Sequence, residues 1–531
     1  MMSAAARTEL ARARQLLDGG DPARARRILR DAAALADGPE RFLVELAGLQ
    51  VEATSAGDAA VLDPLQSLAE RAKAAGADDA YALVLLERAA RLRAVGRLGD
   101  AAHHAELMMG WGERTSRPRL AGAAALALGL ALEAAGRIEQ ASAAWNHGLW
   151  IVGPALTAPT GAESGTDDDP LLPSLPPLLR TFAGLLLQHA QAALALGQVG
   201  RARDCLDQLR TVPLDPLGQA MTALTAAELS LATGGSAPVE RTRGALEVLA
   251  ALEPSTAQLD LACRLAAVEP DEDRADRALA VAEAAATPLG PAAIERFRLA
   301  RASVLLRRGD LDAARAALPT GSEEARWPVE RALLDGMIAL ARGDAGAAVE
   351  PLLEAAALAE QAGLAVAAGR AWQTATALYR RAGLVRLARR CRERAAIAWS
   401  ATGLRAPLVS LEVERAWEAL ITGKADEAAE VLARLDSVED PEVEAAVALC
   451  RGALARLQGD PTSAAAALTR VHDRFVAAGA RGAALPPAAA LRALGASGPG
   501  ADETLAWAAA RSLHPLDPLA IPRPSENPER D

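Results

Sequence analysis

Aromatic residues make up only 3% of the 531-residue chain, so its core is not assembled from large rings. The apolar fraction of 51% falls instead on alanine and leucine, which implies close helix–helix contacts. Val, Ile, Thr, Tyr and Phe, the strand-favouring residues, are sparse and never alternate over a useful length, which excludes a β fold. Lysine occurs only at Lys73 and Lys424, and the remaining basic residues are arginine. With the alanine excess this looks like a coding bias, so an arginine here is weaker evidence of function than usual. Cys205, Cys263, Cys391 and Cys450 are scattered without a CxxC pair, which argues against a metal site or a disulfide framework. Each sits in an apolar helical pattern, where cysteine behaves as a small hydrophobe. Long apolar runs are missing too. The longest uncharged one, Leu120 to Leu132, is too short to span a bilayer, and the N-terminus meets charge at Arg7 without a signal-peptide core. A cytoplasmic location with no membrane partner is the expectation. The formal charge of −11 argues against nucleic acid or anionic lipid as a general partner.

Motifs that carry chemistry are equally scarce. Gly423-Lys424 has no upstream glycine at phosphate-loop spacing and is followed by Ala425 rather than Ser or Thr. No GxSxG elbow, HExxH pair or EF-hand loop appears. His103 and His104 are adjacent, hence about 100° apart on a helix, a poor arrangement for chelating one ion. His147, His189, His472 and His514 are isolated from any nucleophile motif. The acidic run from Glu269 to Asp273 falls at a helix start, where carboxylates favour the positive dipole end. Asp167 to Asp169 lack the remaining ligands of a calcium loop. The expectation is therefore a non-enzyme with no catalytic residues, no cofactor and no metal.

What the chain does contain is a repeat. A helix ends at glycine, and a second helix carries alanine five residues later: Gly20/Ala25, Gly96/Ala101, Gly136/Ala141 and Gly197/Ala202. The same spacing returns at Gly309/Ala314, Gly343/Ala348, Gly383/Ala388, Gly423/Ala428 and Gly459/Ala464. The glycine ends the first helix in a left-handed conformation, and the alanine marks where the second helix crosses the first. Asp21, Asp310, Asp344 and Asp460 follow their glycines directly and are placed to cap the second helix. Four residues beyond the alanine stand Leu29, Trp145, Leu206, Leu318, Leu352, Leu432 and Leu468, the next turn of the same buried face. Wider glycine gaps hold further units, marked by Gly57-Asp58, Gly234-Gly235 and the 270–273 run, giving about a dozen helix pairs.

These residues resemble the tetratricopeptide family. Gly336, Gly343, Ala348, Leu352 and Ala355 match its pattern of small, turn, small, large and small positions; Gly129, Gly136, Ala141 and Trp145 match four, as do Gly452, Gly459, Ala464 and Leu468. The Trp and Tyr of the family's first helix are missing, the closing Pro is rare, and the period often exceeds the family's. The resemblance implies an all-α solenoid that is curved and elongated. Similar Ala- and Arg-rich arrays accompany other domains in actinobacterial proteins, among them large ATP-binding regulators of the LuxR type and CHAT protease-like proteins. The segment from Ala371-Trp372 to Ala401 is similar to the first group, but no DNA-reading helix-turn-helix follows it. The expected organisation is repeats over 1–152, a Pro/Gly/Asp-rich loop over 153–178, repeats over 179–512, and a disordered Pro-rich tail over 513–531.

The resemblance also implies a function: a protein–protein interaction scaffold whose first helices line a concave groove. Mapped onto the groove-facing positions of the family, that surface holds Arg370, Gln373 and Arg380, then Trp417 and Arg456 in the next two units. Arginine and tryptophan are the residue types of binding hot spots, and they suit an acidic protein or peptide partner. Trp417 reads equally as filler between helices. The basic run Arg380-Arg381…Arg386…Arg389-Arg390…Arg392…Arg394 reads as a solvated face or as a local anion-binding surface. The alternative function is a sensor or regulatory arm of a transcriptional or signalling system.

Overall fold

In the computed structural model the described residues are 8–9, 12–13, 22–36, 38–157, 178–232, 239–252, 255–269, 271–319, 327–402, 404–435, 441–459, 461–477, 481–510 and 518–521. They form twenty-five α-helices and no strand. The first seven are α1 (Pro22–Leu35), α2 (Pro39–Ala56), α3 (Leu62–Ala74), α4 (Asp78–Ala94), α5 (Leu98–Arg114), α6 (Pro118–Ala134) and α7 (Ile138–Thr157). A 3-10 turn, Asp58–Val61, joins α2 to α3. Then come α8 (Leu178–Ala195), α9 (Val199–Leu209), α10 (Pro216–Ala232), α11 (Val239–Ala250), α12 (Thr256–Val268) and α13 (Glu272–Leu289). Next are α14 (Pro291–Arg307), α15 (Leu311–Ala317), α16 (Pro328–Ala341), α17 (Ala345–Gln361), α18 (Ala365–Arg381) and α19 (Val385–Ser400). The last are α20 (Arg405–Ile421), α21 (Ala425–Ala433), α22 (Pro441–Gln458), α23 (Pro461–Ala477), α24 (Arg481–Ala493) and α25 (Pro499–Ala509). Among them none is long and apolar enough to cross a membrane.

Local chemistry makes each pair. At the α16–α17 turn, Gly343 takes φ +81°. Its N–H reaches the Leu340 carbonyl (3.0 Å) while Asp344 N–H reaches that of Ala339 (3.0 Å), closing the end of α16. The Asp344 carboxylate then accepts from Ala347 N–H (3.0 Å) and starts α17, as Asp310 does from Ala313 N–H (3.3 Å) at α15. The crossing alanines are sealed: Ala101, Ala141, Ala202, Ala314, Ala348 and Ala428 are at most 1% exposed. A glycine in the first helix makes room for the large residue of the second. An added Cβ at Gly129 would lie 2.0 Å from Trp145 Nε1, which donates to the Leu126 carbonyl at 3.3 Å.

Helices pack on their immediate neighbours and on those two along, so the core is a chain of local clusters rather than one centre. The all-α solenoid is the observed fold. The helices two along include the first members of successive pairs: α2 on α4 and α4 on α6, then α10 on α12 and onward through α24. Within each of the two compact units below, these first helices form a wall. The chain divides into two compact units, Met1–Ala192 with Cys205–Leu214, and Ala193–Asp204 with Asp215–Asp531. Within the second, the turn at Gly197 presses on Thr402: an added Cβ there would lie 2.3 Å from Thr402 Cβ, and Val199 packs on the cluster holding Trp399 and Leu404.

Two expected boundaries look different in detail. Of the 153–178 segment, residues 153–157 continue α7, with Pro154 in its last turns, and Leu178 opens α8; residues 158–177 lie outside the described residues. In the 513–531 tail, residues 518–521 dock on the last repeats. Leu519 is 2% exposed and sits beside Gly452, whose missing side chain leaves space for it and for Leu468. Apolar burial holds this short segment although its prolines bar a helix. The rest of the tail past residue 521 lies outside the described residues. Of the acidic run, Asp271 caps α13 by accepting from Arg274 N–H (2.8 Å), while Glu269 turns inward to the Arg274 guanidinium (3.2 Å).

Candidate functional site

The first-helix wall gathers most of the polar side chains singled out in the sequence. On α18, Arg370, Gln373 and Arg380 rise along one stripe, since they are three and seven residues apart. Arg380 Nε donates to Glu414 Oε2 of α20 at 2.6 Å, and both side chains are nearly buried, 11% and 14% exposed. The guanidinium lies 4.7 Å over the Trp417 ring, one turn along α20. Trp417 itself is 4% exposed. The structure thus brings Arg380 and Trp417 together and adds Glu414, which the sequence reading did not single out. Cys450 of α22 packs behind this group, where burial pushes its thiol well above the usual range; Arg380 opposes that rise and Glu414 adds to it.

Gln373 is a bridge. Its Nε2 donates to Ser410 Oγ on α20 (2.9 Å), and its Oε1 accepts from Trp399 Nε1 of α19 (3.1 Å). Arg370 is exposed, and its side chain makes no hydrogen bond or ion pair among the described residues. Arg456, in the last turn of α22, is also exposed. Neither Arg370 nor Arg456 belongs to the Arg380–Glu414–Trp417 group.

Polar contacts also join other neighbouring first helices, with partners about one repeat apart each time. In α2 and α4, Gln50 Nε2 donates to Glu87 Oε2 (2.8 Å). In α10 and α12, Arg264 donates to Glu228 (2.6 Å) and Thr225 (3.0 Å), and it also faces Asp260 (3.3 Å). Burial lowers the Arg264 pKa, but Glu228 and Asp260 outweigh it and hold the group above the usual arginine range. Arg296 of α14 then approaches Asp260 (3.7 Å) and stacks 4.8 Å over Trp327. An arginine on one first helix and a carboxylate on a neighbouring one, with a tryptophan under the guanidinium at Arg380 and Arg296, is a fastening that holds successive units in register. An exposed pair contributes little. Arg264 and the Arg380–Glu414 pair are mostly buried, so loss of one partner there strands a desolvated charge.

Part of the basic run is similarly engaged. Arg392 and Arg389 reach Glu418 of α20 (3.0 and 3.4 Å), and Arg394 reaches Glu360 of α17 (2.9 Å). Three histidines serve local contacts: His189 Nδ1 lies 3.2 Å from Ser142 Oγ, His472 Nε2 lies 2.9 Å from Thr504 Oγ1, and His147 meets Glu113, while His514 lies outside the described residues. His104 lies against Arg88, and burial followed by that guanidinium lowers its pKa. The four cysteines are all buried.

No protein-family model matches the sequence, and no curated relative matches it. Among solved structures, the chain is similar to the APC/C hetero-tetramer Cut9–Hcn1, at 12% identity over 94% of this chain and 95% of that chain, with a TM-score of 0.52. It is also similar to a Rap protein complexed with Competence and Sporulation Factor, at 16% identity over 67% and 98%, with a TM-score of 0.47. At such identities the first of these speaks for the fold alone: a tetratricopeptide-like α-solenoid.

Proposed function

We propose that the chain is a non-enzymatic cytoplasmic scaffold that holds an acidic segment of a partner protein or peptide along its first-helix wall. Arg370 and Arg456 make the contact, with Gln373, Arg380 and Trp417 holding the surface behind them. The observation that carries this reading is the continuity of the wall: from α10 to α24 each first helix packs directly on the next, giving one long, fastened surface. Such a surface is pre-organised, which lowers the ordering cost of binding an extended segment. The similar Cut9 structure, itself a hetero-tetramer with Hcn1, supports a role in holding proteins together. An arginine without a carboxylate partner, as at Arg370, forms charge-assisted hydrogen bonds readily.

A photo-crosslinking residue placed at Arg370, and in a second chain at the exposed Arg389 of α19, tests the reading in intact cells. The expected result is a defined adduct from position 370 and not from 389. Arg370→Glu then weakens the purified partner about tenfold or more. Adducts from 389 alone, or unchanged affinity in Arg370→Glu, overturn the proposal.

A further inference from the structure

On the other side of α18, between α17 and α19, lies a cavity of about 450 Å³. That volume is in the range of small-molecule sites. Leu353 of α17, Trp372 and Tyr379 of α18, and Leu387 and Ile397 of α19 give it an apolar lining. Ile397 is 74% exposed, an apolar side chain left in water at the rim.

Part of the lining is rigid. Trp372 Nε1 donates to Glu360 Oε1 (2.8 Å), Arg394 donates to Glu360 Oε2 (2.9 Å), and the Arg394 guanidinium stacks 4.9 Å over the Trp372 ring. Arg394 and Glu360 thereby satisfy each other. Two lining charges remain. Arg390 and Glu393 are exposed, and neither forms a hydrogen bond or ion pair among the described residues. They stand three residues apart on one helix, hence on adjacent turns with Cβ atoms about 5–6 Å apart. An unpaired cation and anion side by side, over an apolar hollow, match a ligand that carries both signs on a hydrocarbon body.

We propose that this cavity binds a small zwitterion with an apolar body, a hydrophobic amino acid or a dipeptide of such residues, with its carboxylate on Arg390 and its ammonium on Glu393. Cys391, also in the lining, is a packing residue: burial pushes its thiol up to about 11, so it is no nucleophile near neutral pH. The site lies on a different face from the first-helix wall and stands independently of it.

Calorimetric titration of the full chain tests the proposal with four probes: L-phenylalanine, L-phenylalanyl-L-leucine, N-acetyl-L-phenylalanine and L-phenylalaninamide. Saturable binding of phenylalanine or the dipeptide is expected, and whichever binds tighter identifies the ligand size. Masking the ammonium or the carboxylate of phenylalanine weakens binding about tenfold. Arg390→Ala removes the preference for the acid over the amide, and Glu393→Gln removes the preference for the free amine over the acetylated form. Both positions are on the surface, and circular dichroism confirms that each variant folds. Absence of saturable heat with both unmasked probes to about 10 mM overturns the proposal. So does binding that is indifferent to both substitutions.

Discussion

The pair α18–α19 carries arginine on two opposite faces, and the faces use it differently. On the first-helix wall, Arg380 is neutralised by Glu414 and covered by Trp417, so its charge fastens α18 to α20. On the α19 side, Arg394 is held by Glu360, yet Arg390, one turn earlier, meets no carboxylate. Arginine content therefore says little about anion binding in this chain. What decides is whether the next repeat presents a carboxylate one period along. Where it does, the arginine belongs to the fold. Where it does not, as at Arg390, the arginine stays exposed.

The largest effect that separates the two faces is expected at Trp417. Trp417→Ala leaves a cavity beneath a nearly buried ion pair and costs about 3–5 kcal/mol, read as a lower denaturant midpoint. Little change would mean that the ring packs against nothing essential. Glu414→Ala is next. It leaves Arg380 desolvated without its partner, at about 3 kcal/mol, whereas the double change Arg380→Leu/Glu414→Leu is close to neutral because both charges go. A single variant no worse than the double would show that the wall pair is not a fastening.

A pH series probes the pocket side. Burial raises the Cys391 pKa to about 11, above the unfolded value near 8.5. The folded chain thus keeps a proton that the unfolded chain loses, so this contribution is complete below about pH 8.5 and fades as pH rises toward 11. By pH 10 the loss from this one thiol is about 2 kcal/mol, and Cys391→Ala removes that part of the slope. Burial raises Cys263 and Cys450 as well, so the variant retains a residual slope. The smallest effect belongs to Arg390→Ala, which shifts stability by less than about 0.5 kcal/mol. A large loss there would make Arg390 structural and erase the contrast between the faces.

The fold was legible because its rules are short-ranged. Gly343 and Ala348 are five residues apart, and turn geometry plus helix crossing determine both, so one chain is enough to see the pattern. The proximity of Arg380 and Trp417 was legible for a related reason, since both fall on first helices one period apart. Glu414 carried no distinct signal, because a glutamate that neutralises a neighbouring helix's arginine has the same local pattern as a solvated one. The inward turn of Glu269 and the docking of Leu519 depend on spaces opened by distant residues, which no local rule encodes. The cavity beside Arg390 depends on the separation of three helices and leaves no sequence trace.

The contact between Gly197 and Thr402 changes how the array comes apart. Repeats that touch only their neighbours have additive stabilities and unravel from either end. Here two turns some two hundred residues apart are pressed together, with Thr402 held by its own hydroxyl, which donates to the Trp399 carbonyl (2.7 Å) and accepts from Leu404 N–H (3.1 Å). The closure entropy grows only as the logarithm of loop length, so spanning five intervening pairs adds little beyond what a short loop requires. The kinetic consequence is larger, because a contact of such high sequence separation forms late. The enclosed pairs are then protected as one block, and hydrogen exchange in α10 to α19 should show a shared slow opening that the fraying terminal pair α24–α25 escapes.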